Sequence, residues 1–325
     1  MASPGVSQSM AATEAVADRP TVQAPFGTAL RALGHVRADI VGLTADLAKY
    51  TDVLPFAEAF PARFFNVGMA EQNMIAMAAG LAKTGLVPYC TTYGVFATRR
   101  AYDFVAIACA HSRLKVRIFA GLPGLTTSYG GTHQAIEDLA LMRAIPGLTV
   151  IDPCDATEMT QLVPAIVDVD GPVYVRLVRG TVPVVLDPAR YRFEVGKARR
   201  LREGRDVGLV STGFMTDRAL QAAERLAALG IDAAVLHAST LKPFDAEAVV
   251  ELAGSVTRLV TIENHVVSGG LGTAVAETLV DHRVRQPLTR LGLPDQWLEC
   301  GSVASLQDKY GLTVDRLTEA IRGLI

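Results

Sequence analysis

Little cysteine, no long apolar run and almost no net charge mark this sequence, and each shortage excludes a class of protein. The four cysteines lie far apart, so no pair has the close spacing of a zinc or redox motif. No segment reaches the roughly 20 apolar residues that a membrane-spanning helix needs. The net charge of −2 gives no electrostatic basis for binding nucleic acid or an anionic membrane. We therefore expect reduced core cysteines and a cytoplasmic location.

The composition predicts a large hydrophobic core, an oligomer, or both. Half of the 325 residues are hydrophobic and only 20% are charged, which is apolar for a chain of this length. Residues 1–20 differ because they are rich in alanine and serine and lack both a basic start and an apolar stretch. We expect them to form a disordered tail and not a signal peptide.

From about Ala24 onward, helical and strand patterns alternate, which is typical of a parallel sheet covered by helices. The alternation stops in a stretch rich in proline, arginine and glycine, Gly180–Gly204, and then resumes. The sequence therefore predicts an α/β fold with two doubly wound domains. The larger one spans residues 21–188 and the smaller one spans residues 200–325.

Two consecutive strand-to-helix transitions carry the first candidate site residues. The segment FFNVGMAEQN ends a short strand and places Glu71 in the first turn of an apolar helix. The strand Leu86–Thr91 then leads into TTYGVF, which puts Tyr93 and Phe96 at the end of the sheet. We expect a single long helix to run from Phe96 to His111.

A third transition follows the next strand, Lys115–Gly121, which runs into a glycine-rich loop. The loop ends in GGTHQ, and the pattern predicts that His133 begins a helix over Gln134–Arg143. Further on, Asp155 and Glu158 have the spacing of a capping box, which predicts another helix start.

Each candidate residue also has an ordinary structural explanation. The positive end of the helix dipole favours a carboxylate in a first turn, so Glu71 needs no function. Tyr93 and Phe96 fit a hydrophobic core equally well, and His133 fits a helix N-terminus. The motifs become informative because they occur together and in this order.

Together these segments resemble the transketolase family, from about Phe26 to the C-terminus and most strongly between Phe64 and Arg179. The resemblance implies a pyrimidine-binding domain over residues 21–188 and a transketolase C-terminal domain over residues 200–325. The family's third domain, which binds the cofactor diphosphate and a metal through a Gly-Asp-Gly motif, has no counterpart in this sequence. The resemblance therefore implies the small subunit of a split transketolase. A diphosphate-domain partner chain would supply the Mg²⁺ site, in a heterotetramer of two large and two small chains.

The resemblance also implies roles for five side chains. Glu71 matches the glutamate that bonds a ring nitrogen of the aminopyrimidine of thiamine diphosphate and so activates the cofactor. Tyr93 and Phe96 match the aromatic pair that packs against that ring. His133 matches the histidine that touches the hydroxyl oxygens of the ketose donor, and Arg179 matches an arginine that binds the substrate phosphate.

Several positions depart from the family pattern. Tyr129 stands in place of an aspartate that meets the donor sugar, Gly121 in place of a histidine, and Tyr50 in place of a serine. We therefore expect a shorter, differently substituted or non-standard ketose as donor. In the second domain, a glycine turn at Gly269–Gly272 resembles the family signature and either binds an anion at a helix start or packs against a neighbouring subunit.

The expected activity is transfer of a two-carbon ketol unit from a ketose or ketose phosphate to an aldose. The nearest alternative is the beta subunit of a 2-oxoacid dehydrogenase, which shares both domains and the activating glutamate. A 1-deoxyxylulose-phosphate synthase is a weaker alternative, because that enzyme normally carries all three domains in one chain. The GGTHQ segment and Arg179 favour the sugar enzyme. A third alternative is a non-catalytic scaffold subunit, because a fold alone does not determine a function. The retention of Glu71 and His133 argues against a scaffold.

Overall fold

The structure is a computed structural model that describes residues 19–325. The disordered tail expected at residues 1–20 lies almost wholly outside the described residues. The chain divides into two compact units. One unit runs to Pro123 and takes in Ile145–Leu148 and Asp155–Glu194. The other comprises Gly124–Ala144, Thr149–Cys154 and Val195–Ile325.

Short strands and helices alternate through most of the described chain. The strands are β1 (Thr21–Gln23), β2 (Ile40–Thr44), β3 (Phe64–Asn66), β4 (Val87–Tyr93), β5 (Arg117–Gly121), β6 (Thr149–Ile151), β7 (Val173–Arg176), β8 (Thr181–Pro183), β9 (Arg199–Arg202), β10 (Val207–Ser211), β11 (Ala233–His237), β12 (Thr240–Lys242), β13 (Leu259–Val266) and β14 (Leu288–Leu293). The α-helices are α1 (Pro25–Val36), α2 (Leu54–Ala59), α3 (Glu71–Lys83), α4 (Asp138–Ala144), α5 (Ala156–Ala165), α6 (Met215–Ala228), α7 (Ala246–Ser255), α8 (Leu271–Asp281), α9 (Val303–Lys309) and α10 (Val314–Arg322).

In the first unit, five parallel strands lie side by side in the order β7, β5, β4, β2 and β3. Every residue of β2, β5 and β7 is buried. Such continuous apolar strands are expected where helices cover both faces of a sheet. Because all five strands run the same way, their carboxyl ends meet at one edge, where α/β proteins generally bind ligands.

The second unit contains a sheet with the order β14, β13, β10, β11 and β9. Its first four strands are parallel, and β9 pairs antiparallel with β11. In the same unit, β6 and β12 form an antiparallel pair. These arrangements confirm the predicted α/β fold with two doubly wound parts.

The single helix expected over Phe96–His111 is wrong. The chain instead forms two π-helical segments, Phe96–Arg100 and Phe104–Ala110. Side chains occupy two carbonyl oxygens here: the Thr98 hydroxyl donates to the carbonyl of Gly94, and the Gln72 amide donates to the carbonyl of Arg100. Such side-chain bonds compete with regular helical bonding. Wide π turns are frequent at functional sites.

The helix expected to begin at Gln134 begins at Asp138, so His133 is not at its start. The intervening residues are held by bonds from elsewhere in the second unit. The carbonyl of Ala135 accepts the N–H of Gly124 at 2.7 Å, and the carbonyl of Ile136 accepts the N–H of Val266 at 2.9 Å. Carbonyls engaged in this way are not available to a helical turn. Sequence periodicity does not report such long-range bonds.

The helix start predicted at Asp155 is confirmed, as half of a capping box. One Asp155 carboxylate oxygen accepts the N–H of Glu158 at 2.8 Å, and the other accepts the N–H groups of Val185 and Leu186 at 2.6 and 2.7 Å. The Glu158 carboxylate accepts the Tyr191 hydroxyl. Asp155 therefore joins the start of α5 to the strand-like segment after β8.

The cysteines follow the prediction in three cases out of four. All are free thiols, and Cys90, Cys109 and Cys154 are buried, whereas Cys300 is exposed. Among the described residues, no helix combines the length and the apolar character that a bilayer span requires.

Replacing Asp155 with alanine should destabilise the chain, because two buried backbone N–H groups and a partly buried one would lose their acceptor. We expect the free energy of unfolding to fall by about 2–4 kcal/mol at pH 7. Ser302→Ala is the matched control, because Ser302 caps α9 with one exposed bond, to the N–H of Ser305. Thermal unfolding of both variants measures the difference. Equal losses of Tm would contradict the role given to Asp155.

The stability of the chain should also depend on pH through Asp155. Burial raises the pKa of this carboxyl to about 6, although its three backbone N–H donors oppose the rise. An unfolded aspartate titrates near pH 3.9, so the folded chain binds the extra proton between the two values. The stability that the folded chain gains by binding this proton is therefore fully present below about pH 4. It is lost as the pH rises through about 6.

The corresponding measurement compares wild type with Asp155→Asn. The Tm of wild type minus the Tm of the variant should be larger at pH 5 than at pH 7.5. Asp187→Asn, at an exposed position, serves as the control and should show a constant difference. A constant difference for Asp155→Asn as well would rule out this linkage.

Candidate active site

Glu71 lies where β3 turns into α3, at the carboxyl edge of the first unit's parallel strands. The turn is shaped by Asn66, whose side-chain oxygen accepts the N–H groups of Asp46 and Gly68. Gly68 has a φ of 74°, a conformation that favours glycine. The Glu71 side chain is only 1% exposed although it is the first residue of α3. The sequence correctly placed this carboxylate at the helix start.

The buried Glu71 carboxylate forms an ion pair with Arg100. The Arg100 Nη1 lies 2.7 Å from the Glu71 Oε2. Within residues 19–325, Arg100 is the one hydrogen-bond partner of this carboxylate. A buried charge needs a countercharge, because its transfer out of water costs several kcal/mol. Arg100 was not identified from the sequence, where it is one of two adjacent arginines.

Tyr93 and Phe96 lie beside this ion pair. Tyr93 ends β4, and its ring centroid is 6.0 Å from that of Phe96, with 32° between the ring planes. The Arg100 guanidinium lies over the Phe96 ring, 4.2 Å from its centroid. Glu71, Arg100, Phe96 and Tyr93 therefore form one continuous cluster in the first unit, and both aromatic rings are half-buried.

Gly121 explains how a tyrosine fits at position 93. The two residues are partners in the β4–β5 register, and a Cβ atom at Gly121 would lie 3.3 Å from the Tyr93 ring. That distance leaves no room for a larger side chain unless the ring moves. The identities of the residues at 121 and 93 are therefore coupled.

Arg179 follows β7 at the same edge of the parallel strands. Arg179 lies three residues beyond the end of β7 at Arg176. Arg176 itself is buried in the sheet. Arg179 faces a buried carboxylate, Asp52, which accepts the N–H of Gly180. Burial raises the pKa of Asp52, and the Gly180 N–H and the charge of Arg179 oppose that rise.

His133 belongs to the second unit, at the end of the 3₁₀ turn Gly130–Thr132. Its Nδ1 atom is 2.9 Å from the Thr132 hydroxyl. The Tyr129 ring packs edge-on against the imidazole, with centroids 5.3 Å apart, and is 63% exposed. Position 129, where the family pattern has an aspartate that meets the donor sugar, therefore carries an exposed aromatic ring in this chain.

A second segment supports this turn from far along the chain. The N–H of Gly301 donates to the carbonyl of Ser128, and Trp297 lies so close that a Cβ atom on Gly131 would be 3.2 Å from its indole. Trp297 is 64% exposed. No sequence motif indicated this contact, although Trp297 is the one tryptophan in the chain.

The glycine turn before α8 is filled by the chain's own carboxylate. The two oxygens of Glu263 accept the N–H groups of Leu271 and Gly272 at 2.7 and 2.8 Å. A Cβ atom on Gly270 would be 2.0 Å from Glu263, so glycine is required there. The sequence indicated two possible roles for this turn, anion binding and packing against a neighbouring subunit. The carboxylate of Glu263 itself occupies the position in which an external anion would bind.

The Glu71 cluster suits a flat, hydrogen-bonding heterocycle. A buried carboxylate can hold or share a proton at a ring nitrogen, and the Tyr93 and Phe96 rings offer apolar faces for stacking. These groups fit an aminopyrimidine. Within residues 19–325, no group of three or more His, Cys, Asp and Glu side chains is arranged to hold a metal ion.

Comparisons with known proteins indicate one family along nearly the whole chain. Residues 18–184 match the transketolase pyrimidine binding domain, and residues 196–317 match the transketolase C-terminal domain. A transketolase family protein of Sinorhizobium fredii is 53% identical over 315 residues, which cover 96% of this chain and 91% of that protein. The 6-deoxy-6-sulfo-D-fructose transketolase subunit SqwH of a Clostridium species is 44% identical over 282 residues, which cover 86% of this chain and 87% of that subunit.

Solved structures lead to the same family. A split gene transketolase, described as an inactive beta4 tetramer, superposes with a TM-score of 0.85 at 43% identity. The match covers 92% of this chain and 96% of that chain. Several 1-deoxy-D-xylulose-5-phosphate synthases also match, and the chain spans about half of their length. The chain therefore belongs to the transketolase family.

Proposed function

We propose that this chain is the small subunit of a thiamine-diphosphate-dependent transketolase. The reaction is transfer of a two-carbon ketol unit from a ketose or ketose phosphate to an aldose acceptor. The observation that carries the proposal is the burial of Glu71 beside two aromatic side chains, at the edge of a parallel sheet. When bound, thiamine diphosphate supplies the carbon nucleophile that breaks and forms carbon–carbon bonds.

Glu71 acts on the cofactor ring through the carboxylate oxygen that Arg100 does not engage. It holds a proton between this oxygen and a ring nitrogen of the aminopyrimidine, and so selects the tautomer that activates the cofactor. The Tyr93 and Phe96 rings pack against the same heterocycle and exclude water from it. Burial makes the hydrogen bond of Glu71 stronger than it would be in water.

One residue of each unit is a proposed substrate-binding group: His133 in the second unit and Arg179 in the first. The imidazole of His133 is a hydrogen-bond partner for the donor hydroxyls, and the planar guanidinium of Arg179 suits a phosphate. Tyr129 removes a carboxylate from this surface and adds an aromatic face. The donor is therefore a ketose that lacks the polar group which an aspartate would bind at that point.

A partner chain supplies the diphosphate and Mg²⁺ site. Two relatives of nearly the same length support this arrangement: SqwH is named a transketolase subunit, and the solved structure is named a split gene transketolase. The solved structure is also described as an inactive tetramer of beta chains, which suggests self-association without activity. The proposed enzyme is a cytoplasmic heterotetramer of two large and two small chains.

A second candidate is the reaction of 1-deoxy-D-xylulose-5-phosphate synthases, which match this chain over about half of their length. Both candidates use the same glutamate and aromatic pair, so the donor distinguishes them. A 2-oxoacid donor that is decarboxylated would favour the synthase or the 2-oxoacid dehydrogenase, and a ketose donor favours the transketolase.

Activity should require both the partner chain and Glu71. The test co-expresses this chain with a diphosphate-domain transketolase chain from the same genome and measures ketol transfer from a panel of ketoses, with thiamine diphosphate and Mg²⁺ present. We expect Glu71→Ala to lower kcat by about 10²- to 10⁴-fold, because a proton-transfer group is lost. Glu58→Ala, which removes an exposed glutamate of the same unit, should leave activity unchanged. A pair that binds the cofactor but retains full activity in Glu71→Ala would sink the proposal.

Replacing Arg179 should affect phosphorylated substrates selectively. Arg179→Met keeps most of the side-chain length but removes the charge, so KM for a ketose phosphate should rise by about 10- to 100-fold. KM for the matching unphosphorylated ketose should change little. Arg190→Met is the control, because the Arg190 side chain is 90% exposed on the same unit. An equal rise for both ketoses would show that Arg179 does not recognise phosphate.

A further inference from the structure

We infer that Arg100 is a positioning residue that fixes the carboxylate of Glu71 and the ring of Phe96 for cofactor binding. This inference rests on the proposed function, because the role it assigns is directed toward the thiamine diphosphate ring. It goes further by naming a residue that the sequence motifs left out and by assigning it a measurable part of cofactor affinity.

The Arg100 guanidinium makes two contacts at the same time. Its Nη1 atom is 2.7 Å from the Glu71 Oε2, and its central carbon is 4.2 Å from the centroid of the Phe96 ring. A planar guanidinium can stack on an aromatic ring while its edge donates to a carboxylate. Arg100 thus ties the first residue of α3 to the aromatic residue that follows β4.

The backbone of Arg100 is anchored to the same helix. The side-chain amide of Gln72, the residue after Glu71, donates to the carbonyl of Arg100 at 3.1 Å. The start of α3 and the π-helical segment Phe96–Arg100 are therefore joined twice, once through side chains and once through this backbone carbonyl. These two bonds limit how far the guanidinium can move relative to Glu71.

The two ends of the ion pair differ in exposure. The side chain of Glu71 is 1% exposed, whereas that of Arg100 is 45% exposed. Removing Arg100 would leave a buried carboxylate without its countercharge, which is far more costly than removing a surface ion pair. The carboxylate would then turn toward water or toward another donor, and neither of its oxygens would be held by the protein.

Arg100 also determines which oxygen of Glu71 is left for a ligand. The Oε2 atom is engaged by the guanidinium, and among the described residues no hydrogen bond to Oε1 is found. One oxygen is therefore oriented by the protein and the other is available to a ring nitrogen. A lysine at position 100 could donate to Oε2 but could not stack a planar group on Phe96 in the same way.

The experiment measures the affinity of the assembled two-chain enzyme for thiamine diphosphate by titration calorimetry in the presence of Mg²⁺. We expect Arg100→Met to raise the Kd by about 10- to 100-fold, with Arg100→Lys in between. Arg99→Met removes the same charge one residue away and should stay within about 2-fold of wild type. KM for the ketose should change little at saturating cofactor, because Arg100 orients Glu71 and not the substrate.

Several results would overturn the inference. A wild-type enzyme that binds the cofactor and an Arg100→Met variant that binds it equally well would exclude a positioning role. An equal loss of cofactor affinity in Arg99→Met would show that the effect comes from general surface charge and not from the contacts of Arg100. If Arg100→Met fails to assemble with the partner chain, Arg100→Lys decides, and wild-type affinity in that variant contradicts the inference. Failure of the wild-type enzyme to bind the cofactor would count against the proposed function instead.

Discussion

The cluster around Glu71 depends on the burial of one negative charge. Glu71 is almost fully shielded from water, and the Arg100 guanidinium that offsets its charge is held over the Phe96 ring and by Gln72. Without this ion pair, a carboxylate at the start of α3 would be expected to turn outward or to bind a proton. The parallel strands supply the frame, because their carboxyl ends bring the residues after β3, β4 and β7 to one edge. Local packing then adjusts the site, as in the fit between Gly121 and Tyr93.

The two units carry different kinds of candidate binding groups. The first holds the charged and aromatic groups suited to a heterocycle and a phosphate, namely Glu71, Arg100, Phe96 and Arg179. The second carries His133 on a turn that is braced by the segment around Trp297 and that presents the exposed ring of Tyr129. An exposed aromatic side chain next to a histidine favours the apolar face of a sugar over a charged group. Because Tyr129 replaces the aspartate of the family pattern, we expect an unusual ketose as donor.

The strand-to-helix transitions could be predicted because strong local signals mark them. The run FFNV, the glycine at 68 and the apolar periodicity after Glu71 place the start of α3 within one residue, and Asp155 marks the start of α5. Long-range bonds explain the failures. Gly124 and Val266 hold Ala135 and Ile136 out of the helix that the periodicity predicts, and side-chain bonds accompany the π turns after Phe96. Arg100 could not be recognised beforehand, because its importance comes from contacts with Glu71 and Phe96 and not from any motif.

Under the proposed function, this chain contributes half of a thiamine diphosphate site and needs a partner chain to complete it. The most direct test is titration calorimetry of thiamine diphosphate with Mg²⁺ against this chain alone, the diphosphate-domain chain alone and their purified complex. We expect saturable binding of one cofactor for each pair of chains in the complex, and no comparable binding by this chain alone. Equally tight binding by this chain alone, or no binding by the complex, would contradict it.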